Sequence, residues 1–263
     1  MTTPTDPIDF SPPPLSASAA LFVDFDGTLA PIAPRPQDVL VPGWVVPGLR
    51  LLSDALGGAI AVVSGRPIAQ IDAFLRPLAL AAAGAHGAER RGTTGSISRV
   101  AAEPPQQVVA CAAQLAARHK GLIFEPKGSG VSLHYRARPE LASTCRDALV
   151  AALAAVPGAA DAWEWLHGHL VFELKQRAVS KGVAVQAFMA EAPFAGRLPV
   201  FVGDDVTDED GIRAVQALGG FGVRVGAGAT EARYRLADTD AVEAWLAPAA
   251  RLLSARSEQT DRA

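Results

Sequence analysis

The sequence predicts an α/β fold, a doubly wound parallel sheet with a smaller α+β domain inserted into it, and three observations predict it. Continuously apolar runs of four to six residues recur toward both ends of the chain, as expected of strands that are buried on both faces of a parallel sheet. Helical patterns alternate with these runs. Between them lies a middle segment in which two helical patterns accompany four strands, with short turns that indicate antiparallel pairing.

The outer apolar runs and the helices between them can be assigned in chain order. Strands are predicted in "ALFVDFD", "AIAVVSGR", "LALAAAGAHG", "LPVFVGDD" and "GFGVRVG". The helix in "PGLRLLSDALG" stops at two glycines, and the helix in "RPIAQIDAFLRPL" has Pro67 near its start, where proline is tolerated. The helices in "SKGVAVQAFMAEAP" and "TDEDGIRAVQALGG" open on Ser180 and Thr207, which both suit an N-cap.

The middle segment differs in its connections. Its order is helix "PPQQVVACAAQLAARHKG", strands "LIFEPK" and "VSLHYRAR", helix "PELASTCRDALVAALAAVPG", and strands "AWEWLHG" and "HLVFELK". Gly128-Ser129-Gly130 and His167-Gly168-His169 are predicted hairpin turns. The predicted limits are 19–103 and 177–252 for the core domain, 104–176 for the inserted cap, 1–18 for a flexible leader and 253–263 for a flexible tail.

Composition and charge narrow the function classes. The 24 basic and 27 acidic residues give a formal net charge of −3, so nothing favours nucleic-acid binding. No window reaches about 18 uninterrupted apolar residues, so no membrane span is predicted. Cys111 and Cys145 are too few for a disulfide scaffold and suit a reducing compartment. Because the N-terminus has no signal-peptide pattern, we expect a cytoplasmic protein.

Polar and charged residues follow three of the predicted strands and open one helix. The segments are "DFDGT", "SGR" and "GDDVTDED" at strand ends and "SKG" at a helix start. In open α/β sheets, ligands bind beyond the carboxyl ends of the strands. Each segment alone is a weak signal, but four of them in one chain predict a binding site at this edge of the sheet.

The carboxylates of these segments predict a metal site. Asp24 and Asp26 end an apolar strand, where two unpaired carboxylates would repel each other and lose hydration. A divalent cation held by Asp24 and Asp204 would offset that repulsion, and Mg²⁺ favours such oxygen ligands together with substrate phosphate. Asp205 or Asp208 could complete the set. Two structural alternatives stay open, an acidic first helical turn in "GDDVTDED" and a capped turn in "DFDGT".

Residues that could hold a phosphate group lie in the other two segments. Ser64, Gly65 and Arg66 end the second strand, and a hydroxyl with backbone N–H groups at a helix start forms an anion site. Lys181 lies one residue inside a helix start, which the helix dipole makes unfavourable for a cation unless it faces an anion. The alternatives are ordinary N-capping by Ser64 and a surface position for Lys181.

Together these groups are the parts of a phosphoryl-transfer site. An aspartate that attacks phosphorus forms an acyl phosphate, and we assign this role to Asp24. A second carboxyl group can protonate the leaving oxygen and then activate water, and we assign this role to Asp26. The residues therefore predict a phosphatase that uses an aspartate as its nucleophile.

The four segments in this order resemble the haloacid dehalogenase superfamily of aspartate-nucleophile phosphatases, over about residues 19–250. The finer resemblance is to the trehalose-6-phosphate phosphatase family. It rests on "LFVDFDGTLAPI", "VVSGRP", "GAHGAE", "EPKGSGVSLHYR", "FELK", "SKG" and "FVGDDVTDED". The resemblance implies a Rossmann-like core with a C2-type α+β cap, and Mg²⁺ as the cofactor.

The resemblance also implies roles for the matching residues. Asp24 would be the nucleophile, and Asp26 the general acid and base with its backbone carbonyl on the metal. Lys181 would hold phosphate and orient Asp24, while Arg66 would support the phosphate-binding loop. The implied metal ligands are Asp24, Asp26, Asp204 and Asp205, with Asp208 beside them, and the implied phosphate-binding residues are Ser64, Gly65, Arg66 and Lys181.

We expect the cap to recognise the sugar part of the substrate. The positions that match the family's sugar-binding residues are Glu125, Lys127, Arg136 and Glu173. Strand alternation puts Glu125 and Lys127 on one face, although a solvated sheet face is the structural alternative. We expect His86 to be structural and leave the role of His134 open. The family follows "ELK" with proline where this chain has Gln176, which concerns the motion of the cap rather than the chemistry.

We therefore expect a Mg²⁺-dependent phosphatase that converts trehalose 6-phosphate to trehalose and phosphate, the last step of trehalose biosynthesis. One alternative is a related phosphatase that acts on sucrose phosphate or glucosylglycerol phosphate. The other is a non-catalytic regulator of trehalose-phosphate synthase, although such a relative would be expected to lose the nucleophile or "GDD". The expected partners are a sugar phosphate substrate and, functionally, the synthase.

Overall fold

The computed structural model describes residues 11–33, 35–99, 102–127, 130–168 and 170–260. These residues fall into two compact units. The described parts of Met1–Arg99 and Ser180–Ala263 form the core unit, and those of Val100–Val179 form the cap unit. The chain leaves the core unit after Arg99 and re-enters it at Ser180.

The described residues form twelve strands and eight α-helices, together with short 3₁₀ turns. The strands are β1 (Ala19–Val23), β2 (Ile60–Val63), β3 (Ala81–Gly84), β4 (Glu89–Arg91), β5 (Ile97–Arg99), β6 (Ile123–Lys127), β7 (Gly130–His134), β8 (Trp163–Gly168), β9 (Val171–Gln176), β10 (Leu198–Gly203), β11 (Phe221–Val225) and β12 (Tyr234–Leu236). The helices are α1 (Val45–Ala55), α2 (Ile68–Leu75), α3 (Gln106–Arg118), α4 (Ala142–Ala154), α5 (Ala159–Ala162), α6 (Lys181–Met189), α7 (Glu209–Ala217) and α8 (Thr239–Thr260). Among the described helices, none is both long and apolar enough to cross a membrane.

The core unit contains the parallel sheet that the sequence predicts, and the α/β fold class is confirmed. The strand order is β12-β11-β10-β1-β2-β3-β4-β5. Every pair from β12 to β3 is parallel, and β4 and β5 extend the sheet by antiparallel pairing. The central strands β1 and β2 are buried along their whole length, which explains why they read as continuous apolar runs instead of alternating patterns.

Aromatic side chains fill the core unit beside β1. Phe22 of β1 stacks on Phe194 with ring centroids 5.5 Å apart, and Phe188 of α6 meets Phe194 at 5.1 Å. All three side chains are fully buried, and large aromatic rings dominate the energetics of a core. This packing ties α6, which begins at Lys181, to the strand that leads into Asp24.

Toward both ends of the described chain, residues that we predicted to be flexible pack against the core unit. Leu15, within the predicted leader, is buried, and Trp245 of α8 donates a hydrogen bond from Nε1 to the backbone oxygen of Pro13 at 3.0 Å. Within the predicted tail, α8 continues to Thr260 and buries Leu253. A single apolar side chain among prolines and serines gives no periodic signal, so the packing of Leu15 could not be read from the pattern.

The cap unit is a four-stranded antiparallel sheet in the order β6-β7-β9-β8, with α3 and α4 packed against each other. The two long helices and four strands are those that the sequence predicts. Alternate residues of β7 and β9 are buried in the cap unit's own apolar core, namely Val131, Leu133, Phe172 and Leu174. Of the predicted hairpin residues, Gly128, Ser129 and His169 lie outside the described residues.

Candidate active site

Three strand ends that the sequence singles out are neighbours in the core sheet. β1 lies between β10 and β2 and pairs in parallel with both. Asp24, Ser64 and Asp204 therefore leave their strands at the same edge. The backbone N–H of Asp24 donates to the backbone oxygen of Val202 at 2.9 Å, which fixes Asp24 just beyond the end of β1.

Lys181 links two buried carboxylates. Its Nζ donates to Oδ1 of Asp24 at 2.9 Å and to Oδ1 of Asp208 at 2.6 Å. The three side chains are 3%, 6% and 0% exposed, so Lys181 is not a surface lysine. Ser180 is the predicted N-cap of α6, since its Oγ accepts from the backbone N–H of Val183 at 3.2 Å. A cation in this first helical turn is tolerated because the two carboxylates offset the helix dipole.

Three carboxylates cluster at this edge of the sheet. One side-chain oxygen from each of Asp24, Asp204 and Asp208 lies within 4.8 Å of the other two. Gly27 makes the approach of Asp204 possible, because a Cβ at position 27 would lie 2.1 Å from Oδ2 of that aspartate. The φ of Gly27 is +73°, a conformation that glycine adopts without strain. The glycine of "DFDGT" is thus part of the cluster's construction.

Burial and mutual repulsion raise the pKa of each carboxyl group in the cluster. For Asp24, burial is the largest cause, followed by the charge of Asp208, and Lys181 offsets them only in part. Burial and the charges of Asp208 and Asp205 raise the pKa of Asp204 to about 6. Burial also raises the pKa of Asp208. Burial alone would lower the pKa of Lys181, but the charges of Asp24 and Asp208 outweigh it and raise that pKa, so the amine stays protonated.

The residues present fit a divalent cation. Three carboxylates face the ammonium group of Lys181, so the cluster carries excess negative charge when all its acids are ionised. Burial is the main cause of the upward pKa shifts, and repulsion from neighbouring carboxylates adds to it for Asp24 and Asp204. Mg²⁺ prefers oxygen ligands of this kind, with water and substrate phosphate completing its coordination. Asp24, Asp204 and Asp208 are the side chains that would hold the ion.

Asp205, which the sequence placed among the metal ligands, does not join this cluster. Its side chain is exposed, and its Oδ1 accepts from the backbone N–H of Val206 at 2.7 Å. The backbone N–H of Asp205 donates to Oδ2 of Asp208 at 2.9 Å. The side chain of Asp205 also accepts from the backbone N–H of Asp208, which completes a capping box at the turn Val206–Asp208, so Asp205, and not the predicted Thr207, caps this turn. Asp208 takes the place in the cluster that we predicted for Asp205.

Asp26 pairs with the arginine of the "SGR" segment. Arg66 donates from Nε to Oδ2 of Asp26 at 2.5 Å and from Nη2 to Oδ1 at 2.6 Å, a bidentate contact. The guanidinium of Arg66 also lies over the ring of Phe74, 5.0 Å from its centroid. The backbone N–H of Arg66 donates to Oγ of Ser64 at 3.2 Å. The side chain of Arg66 therefore contacts the carboxylate that we assign to proton transfer, while its backbone belongs to the "SGR" segment that we predict to bind phosphate.

The "GAHGAE" loop contacts the "SGR" segment and holds it in position. The sequence analysis did not predict this role. The backbone N–H of His86 donates to the backbone oxygen of Ser64 at 3.0 Å. Oε2 of Glu89 accepts the first N–H of α2 at 3.0 Å. Gly87 packs against the backbone of Ser180, since a Cβ on Gly87 would lie 2.7 Å from that carbonyl oxygen. The loop thus connects "SGR" with "SKG", and its glycines were the available signal.

The cap unit places two of the predicted sugar-binding residues in one row. Glu125 of β6 lies directly opposite Ser132 of β7, and Ser132 lies directly opposite Glu173 of β9. Residues directly opposite one another in an antiparallel sheet project from the same face. Nε2 of His134 lies 2.9 Å from Oε2 of Glu125, so this histidine contacts the row.

Ser132 is a further candidate that the sequence did not single out. The residue is 1% exposed, and its Oγ has no hydrogen-bond partner among the described residues. Buried hydroxyls without a partner are uncommon in folded proteins. Of the other predicted cap residues, Arg136 follows β7 and is exposed, and the side chain of Lys127 lies outside what the structure describes.

The chain matches a known family over most of its length. The model of the trehalose-phosphatase family matches residues 22–240. The trehalose-6-phosphate phosphatase of Escherichia coli (strain K12) is 42% identical over 245 residues, which cover 92% of this chain and 90% of that protein. The probable trehalose-phosphate phosphatase of Sinorhizobium fredii is 38% identical over 208 residues, which cover 79% and 77%.

A solved structure shows the same fold. The structure of Aspergillus fumigatus trehalose-6-phosphate phosphatase covers 94% of this chain and 100% of its own, with a TM-score of 0.71 and 24% sequence identity. At that identity the likeness concerns the fold alone. The family match spans all four segments of the site as well as the cap unit, and the identity to the Escherichia coli protein extends over nine-tenths of both chains. The chain therefore belongs to the trehalose-phosphatase family.

Proposed function

We propose that this chain is a Mg²⁺-dependent phosphatase that hydrolyses trehalose 6-phosphate to trehalose and phosphate. One observation carries the proposal: in a chain of this family, the buried Asp24 is held by Lys181 beside two further carboxylates. An aspartate held in one orientation is prepared for attack, because little freedom remains to be lost when the substrate arrives.

Asp24 is the group that attacks phosphorus. A bond forms between its carboxylate oxygen and phosphorus while the bond from phosphorus to the sugar oxygen breaks, which leaves an aspartyl phosphate. Lys181 keeps Asp24 oriented and offsets negative charge on the phosphoryl oxygens, and Ser64 with the backbone N–H groups before α2 suits the same oxygens. Mg²⁺, when bound by Asp24 and its two neighbouring carboxylates, supplies Lewis-acid stabilisation of that charge.

Asp26 is the group that moves protons. It gives a proton to the departing sugar oxygen and then accepts one from the water that attacks phosphorus. As that water adds, the bond from phosphorus to the Asp24 oxygen breaks, which releases phosphate and restores the Asp24 carboxylate. In this structure both oxygens of Asp26 accept from Arg66, so we propose that Asp26 leaves this contact to carry the proton. Arg66 therefore holds the proton-transfer group in place between turnovers.

We propose that the sugar binds to the row in the cap unit formed by Glu125, Ser132 and Glu173. Each carboxylate can accept hydrogen bonds from two hydroxyl groups, which suits the paired hydroxyls of a non-reducing disaccharide. Ser132 lies between them with a buried hydroxyl that a sugar hydroxyl would satisfy. Arg136 and Lys127 would add donors to the same sugar.

Phosphate release from a panel of sugar phosphates tests the proposal. With Mg²⁺ present, the native chain should turn over trehalose 6-phosphate far faster than sucrose 6-phosphate, glucosylglycerol phosphate or p-nitrophenyl phosphate. Chelation of the metal should abolish the activity. Faster turnover of sucrose phosphate would instead favour a related sugar phosphatase, and no release from any substrate would favour a non-catalytic regulator. The intact Asp24 and "GDD" segment argue against a regulator.

Two further parts of the proposal concern the cell. We propose a cytoplasmic location, which the free cysteines Cys111 and Cys145 support. We also propose a functional partnership with a trehalose-phosphate synthase, whose phosphorylated product this activity would consume. Cell fractionation tests the location, and co-purification with the synthase tests whether the partnership is physical.

A further inference from the structure

We infer that Arg224 is a positioning residue for the metal site, holding in place the acidic loop that carries Asp204 and Asp208. Arg224 belongs to β11, where it lies directly opposite Gly203, the last residue of β10. Its side chain points into the fold and is 7% exposed as a residue. The inference rests on the proposed function, because the Mg²⁺ site is part of that proposal. It adds a residue that would hold the metal-binding loop in position without contacting the metal.

The guanidinium of Arg224 contacts the backbone of the acidic loop. Nη1 donates to the backbone oxygen of Asp205 at 2.8 Å, and Nη2 lies 3.5 Å from the backbone oxygen of Ala227. Asp205 stands between Asp204 and Asp208 in the chain. Fixing its carbonyl group therefore fixes the direction in which the loop presents both carboxylates to the cluster.

Glu209 provides a second point of contact between Arg224 and the same loop. Oε1 of Glu209 lies 3.5 Å from Nη1 of Arg224, and Oε2 accepts the backbone N–H of Glu231 at 3.0 Å. The side chains of Arg224 and Glu209 are 9% and 13% exposed, so solvent screens this pair little. Glu209 is the first residue of α7. The loop is thus held both at Asp205 and where it enters the helix.

Arg224 supplies positive charge without occupying a carboxylate oxygen that a metal needs. Lys181 brings its charge to the acid cluster through hydrogen bonds to carboxylate oxygens of Asp24 and Asp208. Arg224 instead reaches a backbone carbonyl, which leaves the carboxylates of the loop available as ligands.

Calorimetric titration of Mg²⁺ into the metal-free chain tests this inference with three variants. Arg224→Met keeps the apolar stem and removes the charge and the donors, and Arg224→Lys keeps the charge alone. Arg235→Met is a matched control, because Arg235 on the neighbouring β12 also donates to backbone oxygens, those of Gly226 and Gly228, outside the acidic loop.

Arg224→Met should weaken Mg²⁺ binding by about 10-fold, since residues that orient metal ligands contribute on the order of 10- to 100-fold to affinity. Arg224→Lys should be intermediate, because a single ammonium group cannot contact Asp205, Glu209 and Ala227 as the two Nη groups of the guanidinium do. Arg235→Met should bind Mg²⁺ as the native chain does. Saturating Mg²⁺ should bring kcat of Arg224→Met on an aryl phosphate close to the native value, which a general loss of structure would not allow.

Native Mg²⁺ affinity in both Arg224 variants, or equal weakening in Arg235→Met, would overturn the inference. If Arg224→Met does not fold, Arg224→Lys decides the matter, and native affinity in that variant would contradict it. A native chain that neither binds Mg²⁺ nor releases phosphate would overturn the proposed function and this inference together. A native chain that is active with Mg²⁺, beside Arg224 variants of unchanged affinity, would overturn this inference alone.

Discussion

Lys181 connects the stability of the core unit to its chemistry. Its ammonium group contacts Asp24 and Asp208, and all three side chains are almost fully buried. Removing one partner from such a group leaves a buried charge uncompensated, which costs roughly 3–5 kcal/mol of folding free energy. The lysine therefore holds Asp24, the proposed nucleophile, in place through the same contacts that make its own burial possible.

Gly27 should be indispensable to the acid cluster for a steric reason. A Cβ at position 27 would lie 2.1 Å from Oδ2 of Asp204, whereas a Cβ at Gly196 would meet nothing within 4 Å. The two glycines have similar φ values, +73° and +76°, so alanine at either site should cost about 1 kcal/mol through its backbone alone. Gly27→Ala should in addition lose about 100-fold in kcat/KM, because a misplacement near 1 Å can cost that much.

Denaturant unfolding and phosphate release, measured side by side, separate these two effects. Gly196→Ala should be less stable than the native chain and retain its activity. Comparable activity in Gly27→Ala and Gly196→Ala would show that Asp204 does not depend on the glycine.

Among the elements, the buried parallel strands were the most predictable and the edge strands the least. The runs that became β1, β2 and β10 are apolar because both faces are covered, and that pattern is visible in one sequence. β4 reads "ERR" and β5 reads "ISR", and their strand conformation depends on the pairing of β4 with β3 and of β5 with β4 at the end of the sheet. Whether Asp205 or Thr207 is the N-cap likewise depends on where the turn begins, and the packing of the loop determines that position.

The cap sheet should discriminate the disaccharide partly through Ser132. Ser132→Ala removes one hydroxyl from the row between Glu125 and Glu173. We expect kcat/KM for trehalose 6-phosphate to fall about 5-fold, the loss of one neutral hydrogen bond worth about 1 kcal/mol. Activity on p-nitrophenyl phosphate should be unchanged, because that substrate lacks the sugar hydroxyls. Ser143→Ala, on the exposed side of α4, is the matched control and should affect neither substrate.

The same pair of substrates tests Arg136. Arg136→Ala should reduce turnover of trehalose 6-phosphate far more than turnover of the aryl phosphate, because only the disaccharide offers hydroxyls to the guanidinium. Equal losses on both substrates would remove Arg136 from the sugar-reading set, and equal losses in Ser132→Ala would do the same for Ser132.

For the whole molecule, the order of the four segments predicted which distant residues meet, but not how they pair. Parallel strands deliver their carboxyl ends to one edge, so the convergence of "DFDGT", "SGR" and "GDD" follows from topology. The bidentate contact between Arg66 and Asp26 joins residues 40 positions apart, and Lys181 bonds Asp208 across 27. No local pattern specifies such partners, because they depend on side-chain directions that the packed fold sets.

The acid cluster should make the metal-free chain less stable as pH rises. The pKa of Asp204 is raised from its ordinary 3.8 to about 6, so between these values the folded state binds more protons than the unfolded state. The free energy of unfolding therefore falls as pH increases through that window. The proposed Mg²⁺ ion would bind the ionised carboxylates, so it should raise Tm more at about pH 7.5 than at about pH 5.

Thermal unfolding with and without Mg²⁺, at several pH values, measures both trends. Asp204→Asn removes the titrating group and should flatten both. A larger stabilisation by Mg²⁺ at the lower pH, or the same pH dependence in Asp204→Asn, would contradict this account of the cluster.

The detection of an aspartyl phosphate on Asp24 would test the first step of the proposed mechanism. The native chain is mixed with trehalose 6-phosphate and Mg²⁺, quenched in acid during the first turnover, and mapped by mass spectrometry. We expect a phosphoryl group on Asp24 of the native chain and none in Asp24→Asn. The kcat of that variant should fall by more than about 10³-fold while its fold is retained. Release of phosphate with the phosphoryl group on another residue, or substantial turnover by Asp24→Asn, would contradict it.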